Sequence, residues 1–211
     1  MTTAREHWEA RYSDSGRVWS GRPNATLVDL VGGLTPGRAL DLGAGEGGDV
    51  LWLASRGWRV TGLDLSETAL TRAREAAARQ GLDVALRYAD LAGDWPVAGD
   101  FDLVTASFLH SMVELPRIDI LRRAAELVAP GGHLAIVSHV APPPGAREHH
   151  HGASEAPLEL ASPEEELAAL ALDARWIPLV VETRERVASG PDGHEVPLLD
   201  GVLLVRRSAT D

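Results

Sequence analysis

The sequence contains no cysteine. Disulfides, thiolate metal sites and cysteine nucleophiles are therefore excluded. No uninterrupted apolar run approaches the length of a membrane span, so no membrane partner is expected. The segment from Met1 to His7 lacks the apolar core of a secretion signal, and a cytoplasmic location is expected. No Lys/Arg-rich run is present either. With a formal net charge of -11, the chain repels phosphate backbones, and nucleic acid is not an expected partner.

What is present is an ordinary globular balance, 45% hydrophobic and 24% charged residues in a chain of 211. That length suits one α/β domain spanning 1–211, as a monomer or homodimer. A polar helix is expected from about Thr3 to Ser13, with Trp8 and Tyr12 one turn apart. Asn24 caps a second helix running to Val31. From Arg38 onward, strands and helices alternate. Strands are expected at Ala39–Leu42, Arg59–Leu63, Val84–Tyr88, Phe101–Ala106 and His133–Ser138. Helices are expected at about Gly47–Ser55, from Ser66 to Gln80, and at Ile118–Val128. Ala129-Pro130-Gly131-Gly132 reads as a sharp turn before the fifth strand. This alternation implies βαβ units and a mainly parallel sheet. Val140 to Pro157 reads as a long loop. Ser162 and Pro163 open a further helix. Two strands near Ile177–Val187 and Val196–Arg206 flank Asp192-Gly193, a hairpin signal.

The run Asp41-Leu42-Gly43-Ala44-Gly45-Glu46-Gly47 ends the first strand, where parallel α/β sheets bind ligands. Its glycines let a ligand approach the backbone, and the next helix offers free N–H groups. Gly43, Gly45 and Gly48 also fit a dinucleotide fingerprint, which makes an NAD-dependent oxidoreductase the rival reading. Asp41 is poorly placed beside a pyrophosphate and suits a ligand with an ammonium group. Asp64, ending the second strand, can accept from both ribose hydroxyls, a contact that serves either ligand. Asp90, just after the third strand, can accept from an adenine amino group. The plainer alternative is that turns favour Asp, but three acids ending three successive strands speak for a site.

These segments resemble those of class I S-adenosylmethionine-dependent methyltransferases. The glycine run looks like their first motif, and Leu63-Asp64-Leu65-Ser66 resembles their second-strand acid and its follower. Tyr88-Ala89-Asp90-Leu91 is similar to the adenine-contacting segment. Phe101-Asp102-Leu103-Val104 and Pro130-Gly131-Gly132 resemble the fourth strand and the turn before the fifth. The likeness covers about 38–140. It implies a Rossmann-like three-layer sandwich, with a seven-stranded, mostly parallel sheet closed by a C-terminal antiparallel hairpin. It also implies S-adenosylmethionine as cofactor, contacted by Gly43, Ala44, Gly45, Leu65, Leu91 and Ser107 besides the three acids. Within the superfamily the layout, with Trp19-Ser20-Gly21-Arg22-Pro23-Asn24, resembles small-molecule enzymes of the tellurite-resistance and thiopurine type. Arsenite methyltransferases are excluded by the missing cysteines.

In such families an N-terminal segment, here 1–35, covers the cofactor. Arg11 or Arg22 can pair with the methionine carboxylate, and Trp19 can wall the donor methyl. The competing reading makes Trp8, Tyr12 and Trp19 plain anchors of the arm. His110, in Ser107-Phe108-Leu109-His110, and His139 are the candidates to deprotonate or orient a small-molecule acceptor (O, N, S or a chalcogen oxyanion). Each also fits an ordinary polar strand end. Methyl transfer gains most of its rate from alignment, so a dedicated base is not required. His149-His150-His151, with Glu148, His139 and His194, invites a metal reading; a loop over the acceptor pocket is the simpler one, and no metal is expected. A non-catalytic cofactor-binding protein is the third functional class.

Overall fold

A computed structural model describes residues 3–209, apart from 15, 17, 112, 142–159 and 190–194. The expected loop between Val140 and Pro157, the histidine triplet, Glu148, His194 and Asp192-Gly193 therefore fall outside the described residues, save for Val140 and Ala141.

Local chemistry sets the element ends. Thr3 and Glu6 form a capping box that opens α1 (Ala4–Ser13). Asn24 accepts from the N–H groups of Thr26 and Leu27 and opens α2 (Ala25–Val31). Then follow β1 (Arg38–Leu42), α3 (Gly48–Ser55), β2 (Arg59–Asp64) and α4 (Glu67–Gln80). Ser66 caps α4, and Gly81 stops it in a left-handed conformation. The remainder is β3 (Ala85–Tyr88), β4 (Phe101–Ser107), α5 (Arg117–Glu126), β5 (Val128–His139), α6 (Pro163–Leu170), β6 (Trp176–Ser189) and β7 (Glu195–Arg207). Ser162 and Glu165 box the start of α6, with Pro163 at its first position.

The seven strands form one sheet in the order β3-β2-β1-β4-β5-β7-β6. The first four ladders are parallel, and β7 runs antiparallel to both β5 and β6. Side chains alternate across it. Leu40, Leu42, Leu134 and Ile136 face α5 and α6, while Ala39, Ala135 and Val137 face α2, α3 and α4. Each fully buried leucine contributes about 2 kcal/mol of transfer free energy. The expected three-layer architecture and its antiparallel closure are thus present.

One expectation needs correcting. Pro130-Gly131-Gly132 does not form a turn that precedes β5 but an irregularity inside it. Phe101 pairs with Val128 and Leu103 with His133, so residues 129–132 oppose a single residue of β4. Gly131 takes φ +82, which lets the extra residues loop out without ending the strand.

Two features position the site. The chain runs from β1 outward to β2 and β3, then returns to β4 on the other side of β1. The crevice beyond the carboxyl ends of β1 and β4 is therefore the topological switch point. Second, β6 and β7 outrun the sheet. β7 leaves β5 at the Asp200–His139 pair, while β6 and β7 continue together to the Ser189–Glu195 pair. This two-stranded ribbon projects at the same end as the crevice.

Candidate active site

The glycine-rich turn lies at that switch point. Gly43, Gly45 and Gly47 all have positive φ, so the chain folds tightly between β1 and α3. The N–H groups of Gly43 and Ala44 both donate to Leu63 O, tying the turn to β2. Ala44 and Gly45 are buried and Gly43 is exposed.

Four carboxylates surround the turn. Asp41 pairs in register with Thr105 of β4, whose hydroxyl donates to Asp41 Oδ1 at 2.5 Å. Burial pushes Asp41 well above the usual carboxylate range, and the charges of Asp49 and Asp64 push the same way, against the Thr105 hydrogen bond. Asp49, in the first turn of α3, accepts the Asn24 N–H at 2.6 Å. It too is raised, chiefly by burial. The Ser107 hydroxyl is close enough to favour the ionised Asp49 but falls short of hydrogen-bonding geometry. Asp64 Oδ2 accepts from Gly45 N at 2.8 Å and Oδ1 from Ser66 N at 2.8 Å. Burial raises Asp64 as well, against these backbone donors. Glu46 is buried and receives Trp19 N at 2.9 Å and Arg72 Nη1 at 2.9 Å.

The N-terminal arm is docked onto this turn. The Val18 N–H also donates to Glu46. Arg72 reaches the Tyr12 carbonyl oxygen at 2.8 Å. Glu9 accepts from Ser66 Oγ at 2.7 Å and from Thr68. The Tyr12 hydroxyl accepts from Trp19 Nε1 at 3.0 Å and would lie 3.0 Å from a Cβ placed on Gly45. Burial, reinforced by Asp64, holds that hydroxyl un-ionised. A Cβ on Gly48 would meet Arg22 O at 2.6 Å, so the Arg22 backbone lies directly on the start of α3. The Trp8 and Tyr12 rings meet at a tilt of 33°, with centroids 6.2 Å apart. The Arg11 guanidinium sits over the Trp8 and Trp19 rings, at 5.7 and 5.4 Å.

The other expected residues are spread differently. Trp19 is 48% exposed, and Arg11 and Arg22 are exposed. Leu65 is half-buried and Leu91 is buried in the core. Asp90 is exposed, and its Oδ1 accepts from Ala92 N at 3.0 Å within its own turn. Ser107 Oγ and Asn24 Nδ2 are the buried side-chain polar atoms without a hydrogen-bond partner among the described residues. Both lie beside Asp49, where a bound polar group would satisfy them.

His110 and His139 do come together, at the ends of β4 and β5. Their rings lie 5.7 Å apart, and the His139 ring stacks on Phe108 at 4.2 Å. Phe108 has φ +50, a strained value for an aromatic residue. Burial lowers His110 to about 3, helped by the Arg117 charge and by His139. His139 is lowered by burial and by Arg186, with Asp200 opposing. The Leu109 side chain would lie 3.1 Å from a Cβ on Gly43, so this loop abuts the glycine turn. Arg117 holds the loop through Leu109 O at 2.8 Å, and is itself paired with Glu166 and with Ser138 Oγ at 2.7 Å. No group of three or more potential ligands among the described residues could hold a metal ion, and no helix among them is long and apolar enough to cross a membrane.

Asp49, Glu46, Tyr12, Arg72 and Arg117 do not stand out as site residues in the sequence. Glu46 lies within the motif itself, and Asp49 eight residues after Asp41 at a helix start; those positions are the available signals.

Comparison with known proteins agrees with this layout. Residues 39–132 match the methyltransferase domain family. The ribosomal RNA small subunit methyltransferase C of Alcanivorax borkumensis is 35% identical over 108 residues, 49% of this chain and 33% of that one. The probable thiol methyltransferase 2 of Arabidopsis thaliana is 34% identical over 135 residues, 60% of this chain and 58% of that one. The chain thus spans a third to just under three-fifths of these relatives. A solved structure from work on conversion of a disulfide bond into a thioacetal group during echinomycin biosynthesis superposes with a TM-score of 0.76 at 26% identity, covering 100% of this chain and 94% of that one.

Proposed function

We propose that this chain, whose residues 39–132 match the methyltransferase domain family, is a class I S-adenosylmethionine-dependent methyltransferase that transfers a methyl group from S-adenosylmethionine to a small-molecule acceptor. The observation that carries this reading is the set of carboxylates enclosing the glycine turn. Asp41 and Asp64 are buried and Asp49 is half-buried, and in each burial works against the charged form. Such a turn repels a pyrophosphate and favours a ligand with a cationic end, which argues against the dinucleotide rival.

In this reading Asp41 and Asp49 take the methionine ammonium, with Asn24 Nδ2 and Ser107 Oγ satisfied by the same ligand. The backbone of Gly43, Ala44 and Gly45 lies along it. Asp64 accepts from the ribose, and Leu65, Asp90 and Leu91 border the adenine. Arg11 or Arg22 meets the carboxylate, and Trp19 offers an aromatic face to the sulfonium. Residues 1–35 cover the cofactor, an assignment supported by the docking of Tyr12, Trp19 and Arg22 on the turn. When bound, S-adenosylmethionine supplies a methyl carbon whose bond to sulfur breaks as the acceptor lone pair takes it, the bonding electrons staying on sulfur. The protein's part is to align the acceptor and exclude water.

The acceptor site is assigned to the strand ends that carry Phe108, His110 and His139, beneath the projecting β6–β7 ribbon. Sulfur chemistry in the names of two similar proteins favours a soft acceptor, in keeping with the thiopurine and tellurite likeness. Calorimetry with S-adenosylhomocysteine and NADH tests the reading. Micromolar binding of the former and none of the latter is expected. NADH binding without adenosylhomocysteine binding refutes it. Turnover with a thiol, phenol and amine panel then separates an enzyme from a binding protein.

A further inference from the structure

The backbone N–H of His139 donates to His110 Nε2 at 3.2 Å. An acceptor nitrogen carries no proton, so the neutral ring of His110 holds its hydrogen on Nδ1. Protonating Nε2 would break that backbone bond, in a half-buried site already disfavouring charge. Nδ1 has no hydrogen-bond partner among the described residues, yet it is not one of their sealed, unpartnered atoms. It stays open as a donor.

The neighbouring groups point the same way. Arg186 engages Asp200 through Nε at 2.7 Å and Nη2 at 3.2 Å, and lies over the Phe108 ring at 5.2 Å. Its Nη1 has no partner among the described residues. The carboxylates near the two histidines are committed elsewhere. Asp200 is shared by Arg186 and Thr26, and Glu166 by Arg117 and Ser138. Asp41 is held by Thr105 and Asp49 by the Asn24 N–H. The groups facing His110 are Arg117 of α5 and His139 of β5, and those facing His139 are Asp200 of β7 and Arg186 of β6. This end of the sheet therefore presents donors from His110 and Arg186, its carboxylates are committed, and the His139 ring is its remaining imidazole, engaged among the described residues through ring contacts.

We infer that the chain takes its acceptor as an anion, its charge met by the Nδ1–H of His110 and the open N–H of Arg186, with no proton removed by His110. The inference rests on the methyltransferase reading and deepens it by naming the substrate class: small thiols, acidic phenols or enols that ionise unaided. The balance is simple. An anionic nucleophile and a sulfonium give a neutral methylated product and a thioether, and no proton is left over.

The test uses the protein saturated with S-adenosylhomocysteine and labelled with ¹⁵N-histidine. Ring nitrogen shifts, assigned with His110→Asn, report the tautomer. The Nδ1–H form is expected from pH 5 to pH 8; an imidazolium or an Nε2–H form overturns the inference. Activity gives a second readout. Aryl thiols and phenols of graded acidity should each show a pH–rate limb at the acceptor's own pKa. A common limb near the imidazole range for all acceptors overturns it. His110→Asn, which keeps a donor near the Nδ1 position but cannot act as a base, should stay within about ten-fold of the parent, while His110→Phe should fall about 100-fold. Equal losses in the two variants overturn it. If adenosylhomocysteine does not bind, the methyltransferase reading has failed instead. If it binds but no acceptor turns over, the tautomer alone decides.

Discussion

Replacing Asp41 by Asn removes one negative charge from the most enclosed carboxylate of the turn while keeping its size. Thr105 can still donate to the amide oxygen. Two quantities should then move in opposite directions. In the empty protein Asp41 is raised by burial and by Asp49 and Asp64. A carboxyl whose pKa rises on folding loses stability as pH climbs from its unfolded value through its folded one, at about 1.4 kcal/mol for every pH unit that separates the two. Asn carries no such cost, so the empty variant should melt higher, and more so at pH 8 than at pH 5. Affinity should move the other way. A charge-assisted hydrogen bond to an ammonium contributes about 1.5–3 kcal/mol, so adenosylhomocysteine should bind roughly 10- to 150-fold more weakly. An ammonium also favours the ionised carboxylate, so the parent should release protons on binding and bind more tightly as pH rises. The variant should release fewer. Calorimetry in buffers of different ionisation enthalpy measures both, and a thermal melt gives the stability. Affinity within two-fold of the parent would refute the assignment, and a weaker affinity with a lower melting point would reduce Asp41 to a packing residue.

Three further outcomes follow from the packing and the titrating groups. Gly62→Ala places a Cβ 2.9 Å from side-chain carbons of Ala44, Val50 and Leu86; overpacking of about 1–3 kcal/mol should lower the denaturant midpoint. Glu166→Gln leaves the half-buried Arg117 without its counter-charge; a loss on the order of 3 kcal/mol is expected, with unchanged adenosylhomocysteine affinity once the protein is folded. Because His110 is lowered to about 3 on folding, the unfolded chain takes up a proton that the folded one refuses, and stability should fall as pH drops from about 6.5 toward 3. His110→Asn should flatten that part of the urea-derived profile by on the order of 3 kcal/mol, partial exposure being discounted.

The elements were legible where they depend on neighbours in sequence. Ser66, Asn24 and Ser162 cap the helices expected of them, and the alternation from Arg38 pointed to the parallel sheet. Pro130-Gly131-Gly132 misled because the same residues make a turn or a bulge, and only pairing with Phe101 and Leu103 decides between them. The strand-end acids were visible as a pattern. Their company was not: Glu46 meets Arg72 across 26 positions and Arg117 meets Glu166 across 49. Nor does any local rule reveal that the His139 N–H would fix the tautomer of His110.

The ribbon formed by β6 and β7 beyond Asp200 has a consequence for how such a protein changes over generations. The residues assigned to the methyl donor come from the arm and from the ends of β1 through β4, whereas the overhanging strands belong to the opposite end of the sheet order. Under the proposed assignment, drift at Glu185, Val187 and 197–199 reshapes what is admitted without disturbing the glycine turn, whereas Arg186 is fixed by its pairing with the buried Asp200. On that assignment new acceptors are sampled at little risk to the donor chemistry.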